Sequence, residues 1–447
     1  MRSDPRFALG RSIGYAAFVW GYPLIESLRT CALQTRKEGT AAWSSPIDRL
    51  RHTRNVATDA DRDVVTPAND LLYTTGWINL ADGPRMLSVP ARAEQPERYF
   101  VLALYDAWTN NFANPGFRES PREGEVIALV GPGTPADAPL PAGARPIRSP
   151  TNLVWLIGRV LCGAGDDVQA ARDLQSKIGL ECAAGTDHGR LPQGVIGWVG
   201  PTDDTVAAVL ANPGQAETIA AAFFTNLCRA LYDQAFPEAD TGLAAWFSRA
   251  GLIASPEFAF EQLPPAMRAG LTEGLTEAVA WIQHASRSRR AKPWAANYGI
   301  GRYGTEYLVR ALTAFVGLGA LAGEEALYAK SDFDENQQAL DGRQRYVQRF
   351  EPGELPPVDG FWSVTLYDAD RFLYRNPFGR HSIGDRTQGL KPDADGGLSL
   401  IIGHEPPAQT ANWLPAPPGP FYLTMRLYVP RAQARTWQIP PLRPVNR

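Results

Sequence analysis

The sequence predicts a multidomain α and β protein: an N-terminal helix, an antiparallel β-sandwich or barrel, a helical insert and a second, C-terminal β-rich domain. Three observations predict it. Short apolar runs separated by turn residues fill two stretches, at about 57–162 and 345–430. Between them, apolar residues recur at helical spacing. The two β-rich stretches also repeat one another. With 447 residues the chain exceeds one compact core, and its 41 Gly and 38 Pro favour many turns over a helical bundle. The domain boundaries read as 1–40, 41–163, 164–330 and 331–447.

In the first forty residues Ala8, Ile13, Ala16, Ala17, Trp20 and Leu24 recur three and four apart, and Gly21 to Pro23 should interrupt the helix. Tyr15, Phe18, Trp20 and Tyr22 surround more than one face, which predicts a helix clamped between other elements. Strands follow at 72–80, 86–89, 99–105, 126–130 and 153–160, punctuated by Asp82-Gly83-Pro84 and Gly131-Pro132-Gly133. Asp203 or Asp204 can cap a helix reaching Leu210; residues 213–235 continue the helical pattern. Leu271, Leu275, Val279 and Ile282 mark a further helix ending near Arg287, and the basic run through Arg289 and Arg290 suits its negative dipole end. After a bridge at 295–330, strands return at 361–367, 398–402 and 421–428, and a Pro-rich ending should run extended.

At an offset of 262, Leu104-Tyr105-Asp106-Ala107 matches Leu366-Tyr367-Asp368-Ala369, Asn114-Pro115 matches Asn376-Pro377, and Arg118 matches Arg380. These seven identities in positions 104–118 compare with about one by chance. The strand ending Gly158-Arg159 also parallels the one ending Met425-Arg426. The two β regions read as diverged copies of one unit. The shared Tyr, Asp, Asn and Arg either satisfy one another's hydrogen bonds in a turn or hold a ligand.

Composition excludes several functions. Forty-four basic against 47 acidic residues leave a formal charge of −3, with no footprint for nucleic acid or an anionic bilayer. No apolar stretch spans a membrane, and MRSDPRFALGRS lacks the apolar run of a secretory signal, so a cytoplasmic, soluble protein with reduced thiols is expected. Four scattered Cys without CxxC spacing and five unpaired His predict no metal site and no cofactor. Asp332, Asp334 and Glu335 leave an oxygen-ligated cation open but lack the Gly and final Glu of an EF-hand loop. There is no GxSxG, HExxH or phosphate-binding loop; residues 299–304 fit GxGxxG on paper without a preceding strand.

The densest polar and aromatic segments are the pocket candidates. In 67–77, Asp70 enters a strand on which Tyr73 and Trp77 share a face. Tyr303 and Tyr307 lie one helical turn apart with Glu306 beside them. Arg380, His381, Asp385 and Arg386 share a loop, and Trp413 adds an indole. Phenol, guanidinium and carboxylate groups can bind a carboxylated or hydroxylated small molecule, with Glu306, Tyr303 or Tyr73 moving a proton. A polar interface locking the domains together is the alternative.

These segments carry a family resemblance. VVTPANDLLYTTGW and RYFVLALYDAWTNNFANPG resemble the family called domain of unknown function 1254. YGTEYLVRALTAFVGLGA, FWSVTLYDADRFLYRNPFGRHSIGDRT and NWLPAPPGPFYLTMRLY resemble its partner, domain of unknown function 1214. The resemblance implies a β-sandwich, a helical insert and a jelly-roll-like domain, and little about activity. The chain departs from the family at Ala68 and Leu71, where members tend to have Asn and Thr, and at His381, where a Tyr is common. The functional expectation is a cofactor-independent lyase, isomerase or hydrolase acting on a small polar or aromatic molecule in a cleft between the β domains. Its catalytic residues would be Glu306, Tyr303 and Tyr73, with Asp70, Trp77, Tyr307, Arg380, Asp385, Arg386 and Trp413 binding substrate. A non-catalytic carbohydrate- or small-ligand-binding protein is the alternative. The partner is a small molecule, with neither nucleic acid nor membrane, and self-association stays open.

Overall fold

A computed structural model describes residues 2–35, 45–62, 66–163, 165, 167–182, 189–192, 204–288 and 293–445. Asp203, Arg289 and Arg290 lie outside the described residues, as does one of the five histidines, His188. Helix α1 (Pro5–Thr35) opens the chain. The first sandwich uses β1 (Arg51–His52), β2 (Leu71–Asn79), β3 (Arg85–Val89), β4 (Phe100–Asp106), β5 (Asn111–Ala113), β6 (Glu125–Val130), β7 (Arg145–Arg148) and β8 (Leu153–Leu161), then, after α2 (Asp167–Gln175), β9 (Gly179–Cys182). Helices α3 (Thr205–Ala211), α4 (Ala216–Asp233), α5 (Thr241–Phe247), α6 (Pro265–Ser288) and α7 (Tyr307–Gly317) occupy the middle, with β10 (Ala295–Ala296) between the last two. The second sandwich continues with β11 (Ala326–Ser331), β12 (Arg345–Phe350), β13 (Trp362–Asp368), β14 (Ser382–Gly384), β15 (Leu398–Gly403), β16 (Trp413–Pro415), β17 (Phe421–Tyr428) and β18 (Arg443–Val445).

Each sandwich pairs a five-stranded inner sheet with a four-stranded outer one. The orders are β1-β2-β8-β4-β5 with β7-β6-β3-β9, then β10-β11-β17-β13-β14 with β16-β15-β12-β18. Adding nine to every label of the first pair yields the second. Even the exception to antiparallel pairing recurs, since β6 runs parallel to β7 and β15 parallel to β16.

Register agrees with topology. Val101 sits opposite Arg159, as Ser363 does opposite Arg426. The turn after each Tyr-Asp is the same: Asp106 Oδ1 accepts from the Asn110 amide at 2.8 Å, and Asp368 Oδ1 from that of Phe372 at 2.9 Å. The residue before that amide is left-handed in both, Thr109 at φ 69° and Arg371 at φ 71°. Beyond this turn the sequence match misleads. Val101 bridges Gly116 whereas Ser363 pairs with Gly384, an offset of 268, so the second copy carries six extra residues. Asn114-Pro115 and Asn376-Pro377 therefore do not occupy equivalent places, and the counterpart of Arg118 is Arg386, not Arg380.

Alternation along the strands builds three layers of contact. Phe100, Leu102 and Leu104 enter the first sandwich's core, and Trp362, Val364 and Leu366 the second's. The opposite faces meet each other: Val101, Ala103 and Tyr105 pack in one cluster with Phe361 and Tyr428. The inner sheets thus form a seam between the sandwiches.

Helix α1 runs unbroken through Pro23. Every residue from Ala17 to Leu28 is buried, so packing on all sides offsets the hydrogen bond that proline removes. Its closest neighbour is α6, where glycines let backbones touch: a Cβ at Gly14 would stand 2.5 Å from the Leu271 carbonyl oxygen, and one at Gly274 2.2 Å from that of Arg11. Asp204 caps α3 by accepting from the Ala207 amide. Strand β9 falls in the stretch that the sequence reads as helical, and β10 and most of β11 in the bridge at 295–330. Among the described residues no helix is long and apolar enough to cross a membrane.

Candidate functional site

The seam is built around one arginine from the middle strand of each inner sheet. Arg159 on β8 stands beside Tyr73 on β2, and Arg426 on β17 beside Tyr328 on β11. Each arginine works with a tyrosine on the strand at its other side, β4 or β13. The Arg159 Nη2 and the Tyr105 hydroxyl both donate to the Gly319 carbonyl, at 3.1 and 2.8 Å. Arg426 Nη2 donates to the Thr66 carbonyl at 3.0 Å and to the Tyr367 hydroxyl at 2.7 Å, while that hydroxyl donates to the Pro67 carbonyl at 2.6 Å. Gly319 lies in the chain leading to β11 and Thr66-Pro67 in the chain leading to β2. Each sandwich therefore grips the segment that enters the other, as a two-fold contact requires. The gripped residues Thr66 and Gly319 are both left-handed, at φ 57° and 81°.

Both guanidiniums are buried, and among the described residues neither has a carboxylate within 4.0 Å. Burial works to lower Arg426, but Tyr367, Tyr428 and the Asp70 carboxylate more than reverse it, so it stays charged. Burial pushes the Tyr367 phenol up to about 12, and Tyr428 well above its usual range. Tyr73 and Tyr428 feel both guanidiniums. The seam is thus a positively charged layer lined by protonated phenols.

Two equivalent carboxylates flank this layer. The Asp70 carbonyl accepts from the Cys162 amide at 2.9 Å, one step before β2 pairs with β8; the Glu325 carbonyl accepts from the Val429 amide at 2.9 Å, one step before β11 pairs with β17. Their side chains fare differently. Glu325 is fully buried and satisfied across the seam, accepting from the Tyr99 hydroxyl on Oε1 and from Arg118 Nε on Oε2, both at 2.8 Å. Burial still lifts its pKa, against the pull of Arg118 and Tyr99. Both Asp70 oxygens are also buried, and neither has a hydrogen-bond partner; the neighbouring Asn69 Oδ1 is likewise bare.

The ten sequence-predicted residues fall in three places. Asp70, Tyr73, Asp385 and Arg386 come together at the seam. Asp385 Oδ1 accepts from the Trp362 amide at 3.2 Å, and partial burial lifts its pKa to about 6, Arg386 opposing and Asp70 adding to the rise. Arg386 donates to the Gly360 carbonyl at 3.2 Å. Tyr303, Glu306 and Tyr307 lie where the helices meet the first sandwich. Helix α7 begins at Tyr307, so Tyr303 precedes it; Tyr303 is buried, Tyr307 donates to Asp240 at 2.5 Å, and Glu306 is an exposed cap without a side-chain capping bond. Trp77 stacks on Trp155 at 4.8 Å and donates to Gln34 at 2.9 Å. Trp413 lies on β16 of the second outer sheet and donates to Gly403, and Arg380, in the loop before β14, is spent on the carbonyls of Thr410, Ala411 and Trp413. In the acidic run, Asp334 Oδ1 accepts from the amides of Asn336 and Gln338.

Residue type alone does not bring out Tyr328 and Tyr428, and it marks Arg159, Arg426 and Tyr367 only as parts of the repeat, with an Arg near the end of each repeated strand. A hollow of about 620 Å³ among the helices, with Thr225, Arg229 and Arg268 on its wall, includes none of the predicted residues. Another of about 450 Å³ is bounded by Asp106, Asn110 and Arg302.

A family described as "Protein of unknown function (DUF1254)" matches residues 47–181, and "Protein of unknown function (DUF1214)" matches 325–432. They fall on the first and second sandwiches. Among solved structures, the VPA0106 protein from Vibrio parahaemolyticus is 22% identical, with a TM-score of 0.73 over 98% of this chain and 100% of that one. An uncharacterized protein from Burkholderia cenocepacia is 13% identical, with a TM-score of 0.43 over 95% of this chain and 87% of that one. No curated protein matches the sequence.

Proposed function

The chain belongs to the family that joins a DUF1254 domain to a DUF1214 domain, and from that premise we propose a cytoplasmic, cofactor-independent enzyme of lyase, isomerase or hydrolase type. It acts on a small, carboxylated or hydroxylated molecule at the seam between the sandwiches. The observation that carries the reading is the Asp70 carboxylate, buried with both oxygens unpartnered beside the charged Arg426. Leaving a buried acceptor unmade costs roughly 1–3 kcal/mol, more for a charged group, and a substrate proton donor recovers that cost. In this reading Arg426 and Arg159 attract the substrate's anionic group, the phenols of Tyr73, Tyr328 and Tyr428 pack against it, and Asp70 takes the proton.

The exposed position of Glu306 favours the second reading, a non-catalytic ligand-binding protein, because the acid expected to move protons stands away from the seam. One experiment separates the two. A thermal-shift screen of metabolites against the full chain identifies binders, and Asp70→Asn is then assayed for binding and turnover. In the enzyme, the variant keeps binding within about tenfold and loses turnover by about 10²-fold or more. Unchanged turnover would end the catalytic reading; binding without turnover by the wild-type chain supports the binder.

A further inference from the structure

We infer that Asp70 accepts a hydrogen bond from a ligand hydroxyl, held where the second sandwich's own carboxylate is met by the hydroxyl of Tyr99. This deepens the reading above, naming the ligand group at the same site. The molecule supplies its own template. Position by position, the surroundings of Asp70 correspond to those of Glu325. The residue equivalent to Tyr99 is Phe361: the Tyr99 carbonyl accepts from the Leu161 amide at 2.9 Å, and the Phe361 carbonyl from the Tyr428 amide at 2.8 Å. The residue equivalent to Arg118 is Arg386. Each follows a residue whose amide bonds the carbonyl opening the neighbouring strand, Phe117 to Phe100 and Asp385 to Trp362.

One copy therefore has carboxylate, phenol and guanidinium joined, and the other has the same three positions unjoined. Phe361 differs from Tyr99 by the one oxygen that Glu325 uses. Arg386 is present but turned aside to the Gly360 carbonyl, with its side chain 46% exposed against 30% for Arg118. What the Asp70 oxygens lack is thus one hydroxyl donor, and Arg386, bonded to Gly360 and 3.8 Å from Asp385, can turn toward them from the outer edge, where Asp385 is partly exposed. The walls are aromatic: Phe361 stacks on Tyr428 at 4.3 Å and 12°, and Tyr367 on Tyr422 at 5.2 Å. An aromatic wall around a hydroxyl acceptor suits a phenol first and an alcohol second.

The test uses the full chain, with phenol and glycerol as probes and binding read by calorimetry and thermal shift. Phenol should bind the wild-type chain, Asp70→Ala should lose at least tenfold in affinity, and Arg386→Gln should weaken it several-fold. The sharper arm fills the vacancy from within. Phe361→Tyr, or Phe361→Tyr combined with Asp70→Glu to copy the other sandwich's reach, should raise Tm by about 2 °C and abolish phenol binding. Saturation by glycerol alone would support an aliphatic hydroxyl in the same place. If neither probe binds, or phenol binds the filled variant as well as the wild-type chain, the inference fails; a water on Asp70 that neither probe displaces overturns it equally. None of these readouts uses turnover, so the inference can fall while the catalytic reading stands, and the reverse.

Discussion

Of two equivalent carboxylates at one seam, Glu325 is sealed by Tyr99 and Arg118 from the opposite sandwich, whereas the places equivalent to these two are held, for Asp70, by Phe361 and by an Arg386 bonded to Gly360. Everything around them is held in common: strand order, register, the Tyr-Asp turn, the arginine on the middle strand. Two sites with the same scaffold and different satisfaction separate what folding needs from what it tolerates. The sealed copy joins the halves by hydrogen bonds, and the bare copy adds none.

Four measurements can break or sharpen that contrast. The largest effect should come from Glu325→Ala, which leaves the buried Tyr99 hydroxyl without an acceptor and Arg118 with Glu119 alone; the two losses together predict about 3 kcal/mol in chemical denaturation. Asp70→Ala at the equivalent place should change stability by no more than about 1 kcal/mol, because it gives up no hydrogen bond and only the longer-range attraction to Arg426. Comparable losses at both positions would erase the distinction. Next, Arg159→Met and Arg426→Met should each cost about 2 kcal/mol, since both abandon carbonyls gripped across the seam. Unequal costs would show that one grip dominates. Third, Tyr99→Phe gives the sealed copy the other's side chain and should cost about 1 kcal/mol.

The smallest effect is one of pH. Asp385 has its pKa raised from 3.8 to about 6 by burial, so the folded chain binds the proton more tightly than the unfolded one between those values. Stability should therefore fall as pH rises from about 4 to 6, and Asp385→Asn should reduce that slope in urea titrations. Its counterpart Phe117 has nothing to titrate, so this share of the slope has no equivalent in the first sandwich, where Asp106, raised to about 6 by burial, contributes one of its own.

Strands with long apolar runs, such as β2, β4, β8, β13 and β17, were legible because alternation and turn residues mark them directly. Strands β11 and β12 were not, since a Lys at 330 and three polar residues in β12 blur the pattern, and pairing partners up to a hundred residues away decide the matter. Residue type brought out Asp70, Tyr73, Asp385 and Arg386. It also grouped Tyr303, Glu306 and Tyr307 with them, although nearness along the chain places that trio against the helices. The duplication could be read through its first seven residues. The six-residue insertion then hid the relation of Arg118 to Arg386 behind a coincidental match to Arg380, and only hydrogen-bond register recovers it.

The reciprocal grip at the seam bears on ancestry and assembly. A single sandwich of this design would carry on one chain both the Arg-Tyr hand and the loop it holds. Two such chains would satisfy each other completely about a two-fold axis and leave no hand or loop over for a third. Fusing them end to end, with the helices as the tether, preserves that closure inside one polypeptide. It also lets the two halves drift independently, since a change at Phe361 no longer has to be made at Tyr99.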